Sequence, residues 1–125
     1  MSISDYLENK ILDKVFKNTD FTVTAAYVAL HTGDPGEDGA NELAVGTSSY
    51  VRQVGTFSSA ASGATENSVV ATFTNLPAGT VTHVGAWNAA TVGNFLWGGT
   101  ATATKVINDG DTVSFAVGAI DVSLD

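Results

Sequence analysis

The segment YVALHTGDPGEDGANE, Tyr27 to Glu42, sets an apolar run in front of four acids: Asp34, Glu37, Asp38 and Glu42. Carboxylates this close together can hold a hard cation, move protons, or stay hydrated in a turn. Against the calcium-loop pattern, Asp34 takes position 1, Asp38 position 5 and Gly39 the glycine at position 6. Position 3 is then Gly36 and position 12 is Val45, so one ligand and the bidentate glutamate are missing. No helical pattern flanks the segment. The composition reads instead as a Gly/Pro turn whose acids stay in water. NDGD, at 108–111, offers acids too, but Asp-Gly is what a tight hairpin turn requires.

The other chemistry-bearing residues are few. His31 and His83 each lie in or at the end of a strand-like run, with no HxH, HExxH or His/Cys spacing for zinc. A Ser–His–Asp site around His31 and Asp34 has no G-x-S-x-G segment to support it. Packing or surface roles are expected for both histidines. The glycine-rich pieces match neither G-x-G-x-x-G nor G-x-x-x-x-G-K-[ST], so nucleotide binding has no local signal. Trp87, Phe95 and Trp97 cluster across one predicted hairpin. Strand aromatics can stack sugar rings, but they more often fill a core or a subunit interface. No catalytic residue, cofactor or metal site is assigned.

Composition narrows the function further. The chain has 125 residues and no cysteine, which excludes disulfides, thiolate metal sites and a cysteine nucleophile. A chain of this size can bury roughly 65–70% of its unfolded surface and so build a core without staples. A formal charge of −8 repels phosphate backbones and argues against nucleic acid as the main partner. No apolar run approaches the ~20 residues of a membrane span, and the first twenty residues do not read as a signal peptide. Synthesis in the cytoplasm is therefore the default expectation. Only 14% of residues are charged while 44% are apolar. Few lysines also means few blockers of exposed strand edges, which suits a surface partly covered by neighbours.

The elements that must position these residues fall into two kinds. SISDYLENKILDKVFKN reads as a helix, with Ser2 or Ser4 as N-cap, acids in its first turns and Asn18 as its stop. Leu7, Ile11 and Val15 form one apolar row, and Leu12 and Phe16 a second beside it. At about 14 residues such a helix is marginal alone and must dock on something. From residue 22 onward the period is two. Strands are expected over 22–32, 49–57, 68–74, 81–90, 94–107 (broken at Gly98-Gly99) and 111–125, with the segments flanking NDGD as the firmest pairing. Phe73, Trp87, Leu96 and Phe115 are the expected core. Turn signals at this spacing, without a second helix, favour a mainly β fold: an antiparallel β-sandwich, jelly-roll-like, with one N-terminal α-helix. A single domain is expected over 1–125, with the helix at 1–17 and the sandwich at 22–125.

The motifs in their order resemble a known family. MSISDYLENKILDKVF, then YVALHTGDPGEDGANELAVGTSSYVRQ, then ATFTNLPAGTVTHVGAWNAATVGNFLWGG, then INDGDTVSFAVGAIDVSLD is similar to small tailed-bacteriophage virion proteins commonly labelled tail fibre proteins. The resemblance covers nearly the whole chain; GTSSY departs from it by an extra serine. It implies a non-enzymatic structural subunit built mainly of strands, in which Tyr27, Asp34, Pro35, Tyr50 and Arg52 are framework positions. Arg52, one of five cations, is expected to pair with a carboxylate.

The expectation is thus a self-associating subunit of a tail fibre or other particle appendage, assembled in the bacterial cytoplasm and carried on the virion. Its partners would be further copies of itself, with a trimer favoured by analogy, and other virion proteins. Leu7, Ile11, Leu12, Val15, Phe16 and Trp97 are the interface candidates, and both termini are expected to be held by packing. Capsid decoration is the first alternative. A module binding host receptor or surface glycan through the aromatic hairpin is the second.

Overall fold

The computed structural model describes residues 2–43 and 50–124. The expectations placed on Met1, Asp125, Val45 and the extra serine of GTSSY lie outside the described residues.

The chain opens with β1 (Ser2–Ile3) and helix α1 (Asp5–Lys17). Strands β2 (Ala26–His31), β3 (Gln53–Gly55), β4 (Ala64–Glu66), β5 (Ala71–Leu76) and β6 (Gly79–Trp87) follow. The chain closes with β7 (Phe95–Ile107), β8 (Asp111–Phe115) and β9 (Asp121–Ser123). A five-stranded antiparallel sheet has the order β1-β7-β6-β2-β3, while β5 pairs with β8 and β4 with β9. The fold is mainly β, with one helix near the N-terminus, as the period-two pattern required.

Alternation places the core between the five-stranded sheet and the β5–β8 ribbon. Ala71, Phe73 and Leu76 of β5 and Val113 and Phe115 of β8 point inward, while Thr72 and Ser114 face solvent. They meet Val28 and Leu30 of β2, Val81 and Val84 of β6, and Leu96 and Trp97 of β7 in one buried cluster. The Phe73 ring lies stacked 6.2 Å from Tyr50 and edge-on to Phe115. Three of the four expected core residues are thus buried; Trp87 is half-buried.

Several expectations need correction. The segments flanking NDGD do not pair: β7 lies beside β6, and β8 lies beside β5. Asn108 N donates to Asp111 Oδ2 at 2.8 Å and Gly110 N to the Leu76 carbonyl at 2.7 Å. The turn therefore carries the chain between two sheets, next to the turn at Pro77-Ala78 that carries β5 into β6. Asp-Gly chemistry specifies a reversal of direction, and the apolar faces decide which sheet the returning strand joins.

Strand β7 is also not broken at Gly98-Gly99. Both glycines stay in the β6 ladder, and the two irregularities fall on either side of them, where the pairing passes from Val81–Lys105 to His83–Thr100 and from Ala86–Trp97 to Trp87–Phe95. Glycine is needed there for close approach. A Cβ at Gly98 would lie 2.9 Å from the rings of Phe95 and Pro35, and one at its partner Gly85 would lie 2.6 Å from His31 Nε2.

The 111–125 segment splits into β8 and β9, and residues 64–66, read as loop, form β4 against β9. The division between helix at 1–17 and sandwich from 22 is corrected as well. Ser2 and Ile3 pair with Gly98 and Trp97 at the sheet edge, so the helix is preceded by a strand of the sheet it leaves.

Candidate assembly surface and the latch behind it

Ser4 both starts α1 and ties it down. Its Oγ accepts from Leu7 N at 3.2 Å and donates to the Phe95 carbonyl at 2.6 Å, in full burial. Asn18 ends the helix in the left-handed conformation, its N–H bonded to the Asp13 carbonyl. Between these caps the helix docks only in part. Tyr6 and Leu7 pack on the core cluster, and Ile11 is half-covered. Leu12, Val15 and Phe16 are 54%, 65% and 79% exposed. The apolar stripe therefore parts company with its own domain along its length, and the last turn, 14–17, stands in solvent on every side. A groove of about 430 Å³ continues the apolar face from Ile3, Ile11 and Leu12 to Leu124 beside β9.

Trp97, an interface candidate with the helix residues, lies inside the chain at 3% exposure. Phe95 is equally buried, edge-on to His31 and to Trp87. The predicted aromatic hairpin exists, with Asn94 N donating to Asn88 Oδ1 at 2.7 Å in its turn. Its Phe95 and Trp97 rings face inward, and Trp87 is half-buried.

The acidic loop is not simply hydrated. Asp34 accepts from Gly36 N at 2.9 Å in a tight turn. Glu37 accepts from Asp5 N, at the first turn of α1, at 2.9 Å, so a distant carboxylate serves the positive end of the helix. Glu42 meets Arg52 in a two-pronged pair, both contacts at 2.8 Å, with the side chains only 7% (Arg52) and 14% (Glu42) exposed. Arg52 is thereby matched to the carboxylate it was expected to find. Among the described residues no three His, Asp or Glu side chains converge to hold a metal ion.

Around that ion pair a latch closes. Arg52 Nη1 donates to the carbonyls of Ala89 and Val92, and its guanidinium lies 3.9 Å over the Trp87 ring. Tyr50 OH donates to Glu42 Oε2 at 2.8 Å and accepts from Leu30 N at 3.1 Å. Burial alone would raise the Glu42 carboxyl; hydrogen bonds from Arg52 and Tyr50 outweigh it and hold the group below its usual range. Burial, helped by the neighbouring Glu42 charge, raises the Tyr50 phenol. His31 Nδ1 donates to the Ala40 carbonyl at 2.8 Å, its Nε2 is buried without a partner, and burial lowers its pKa. Each perturbed group here is saturated by structural partners or sealed in the core.

A mainly β chain with an apolar helix face in solvent has a build that fits a structural protein. The sequence agrees: residues 2–123 match the model of the Podophage GP4 fiber I protein gp80 family, and the chain belongs to that family. It is a bacteriophage fibre-type protein and, as such, a component of the virion. No curated protein matches the chain.

The sequence pattern contained both the helix stripe and the Arg52 pairing. It missed Glu37 at the helix start and the Tyr50–Glu42–Arg52–Trp87 grouping. Those contacts join residues 8 to 40 positions apart, and no local period reports them.

Proposed function

We propose that this chain is a non-enzymatic, self-associating subunit of a phage tail fibre or other particle appendage, with a trimer as its assembly. The observation that supports the reading most directly is the exposed row Leu12, Val15 and Phe16 on a helix whose other face is docked. Three large apolar side chains on one exposed helix end are costly in water and stabilising once covered. Exposed Val54 of the outer strand β3, with exposed Val51 just before it, fits the same picture of a chain finished by its neighbours.

The test has two parts. Sedimentation of the purified chain should give a trimer, and Val15→Asp with Phe16→Asp should shift it to monomer while the β signal is retained. Counting copies per particle by quantitative mass spectrometry should give tens or fewer. Hundreds of copies would make the protein a capsid decoration subunit, and a stable monomer at high concentration would end the self-association reading.

A further inference from the structure

We infer that the projecting end of α1 docks head-to-tail on the β4–β9 end of a second copy of this chain, apolar on apolar and lysine on carboxylate. The inference rests on the self-association proposed above and names the surface that receives the helix.

Three of the five Lys and Arg side chains, Lys10, Lys14 and Lys17, lie on α1, where Asp5, Glu8 and Asp13 balance them. The whole −8 of the chain therefore resides outside the helix. Two such bodies repel each other, and lysines facing carboxylates at their contact offset that repulsion. Lys14 and Lys17 bond only exposed partners, Asp20 at 3.2 Å and Asp13 at 3.9 Å, and pairs of this kind hold little energy. Both lysines are free to turn toward a neighbour, and between them stand Val15 and Phe16.

The receiving surface carries an unusual local conflict. Glu66 of β4 and Asp121 of β9 are directly opposite each other in an antiparallel pair, both exposed. Like charges in this position destabilise a sheet. Among the described residues neither carboxylate forms an ion pair. The sheet is only two strands wide and has little pairing of its own to absorb the repulsion. A cation from outside the chain removes the conflict.

Apolar surface adjoins the acids. The Glu66 carboxylate lies 3.2 Å from where a Cβ of Gly118 would stand, next to Val117, which is 57% exposed. Val69, 55% exposed, is held in the same corner, because Asn67 Nδ2 donates to the carbonyls of both Val69 and Ala116. Two carboxylates beside two valines thus complement two lysines beside a valine and a phenylalanine. The two surfaces differ, so the contact is heterologous and closes into a ring such as a trimer when the rotation permits.

The experiment compares the full chain with Lys14→Glu/Lys17→Glu, with Glu66→Lys/Asp121→Lys, and with all four changes together. All four side chains are exposed, and circular dichroism checks that each variant is folded. Each charge reversal alone should weaken association by roughly tenfold or more, and the combined variant should recover it. Carbodiimide cross-linking of the unaltered chain, read by mass spectrometry, should join Lys14 or Lys17 to Glu66 or Asp121 between molecules. An unaltered chain that associates, with neither loss on reversal nor these cross-links, overturns the docking assignment and leaves self-association standing. An unaltered chain that stays monomeric overturns both.

Discussion

At the scale of single residues, the Glu42–Arg52 pair carries more than its position in a loop suggests. It joins the end of the acidic loop to the residue preceding strand β3 and, through Trp87, Ala89 and Val92, to the β6–β7 hairpin. Removing one member of a buried pair strands the other, so Arg52→Ala should cost about 3–5 kcal/mol in a urea melt. The acid side of the pH profile follows from two groups. His31 has a folded pKa below its ordinary 6.5, so the unfolded chain takes up a proton first. Stability therefore begins to fall as pH drops below 6.5. Glu42, also held low, adds stability above the usual carboxylate range near 4.5 that is lost as pH falls through its folded pKa. A melting temperature that stays level from pH 8 to pH 5 would contradict the first part, and His31→Asn should flatten that part of the curve. Chelator, by contrast, should leave the melting temperature unchanged, since Asp34, Glu37 and Glu42 are already engaged by the protein.

At the scale of elements, the helix has two halves with different duties. Its first turn is anchored by Ser4 and Glu37, and the β1 strand before it is part of the sheet, with Ile3 buried. Deleting residues 1–17 would therefore open the core at Phe95 and Trp97, and the resulting loss of fold would say nothing about assembly. Point changes at Val15 and Phe16 separate the two duties, because those side chains touch little of their own chain. In the β5–β8 ribbon the expectation is the reverse. Phe73→Ala removes a ring at 1% exposure that stacks on Tyr50 and meets Phe115 edge-on, and should cost about 3–5 kcal/mol by denaturant titration. Gly85→Ala should also destabilise, because its Cβ would enter the space of His31 and Phe95.

At the scale of the whole molecule, what the sequence determined by itself is what local chemistry encodes. Period-two alternation made the chain mainly β, and the i, i+4 rows with Ser4 and Asn18 bounded the helix. The composition already excluded thiol chemistry, and the motif order already pointed to phage fibre proteins, the family to which residues 2–123 belong. Tertiary structure decided the rest. Turn residues at Asn108–Asp111 specify a reversal of direction but not a pairing partner, so only the burial of Phe73, Val113 and Phe115 sent β8 to β5 instead of β7. Gly98 of β7 looks like a break in sequence, yet it is a contact point, because a Cβ there would meet the rings of Phe95 and Pro35. Likewise, whether an apolar stripe is covered depends on where the body ends. Leu7, Ile11 and Val15 share one row of the helix, yet the first packs on the core, the second is half-covered and the third stands in water, because the helix runs past the body it docks on.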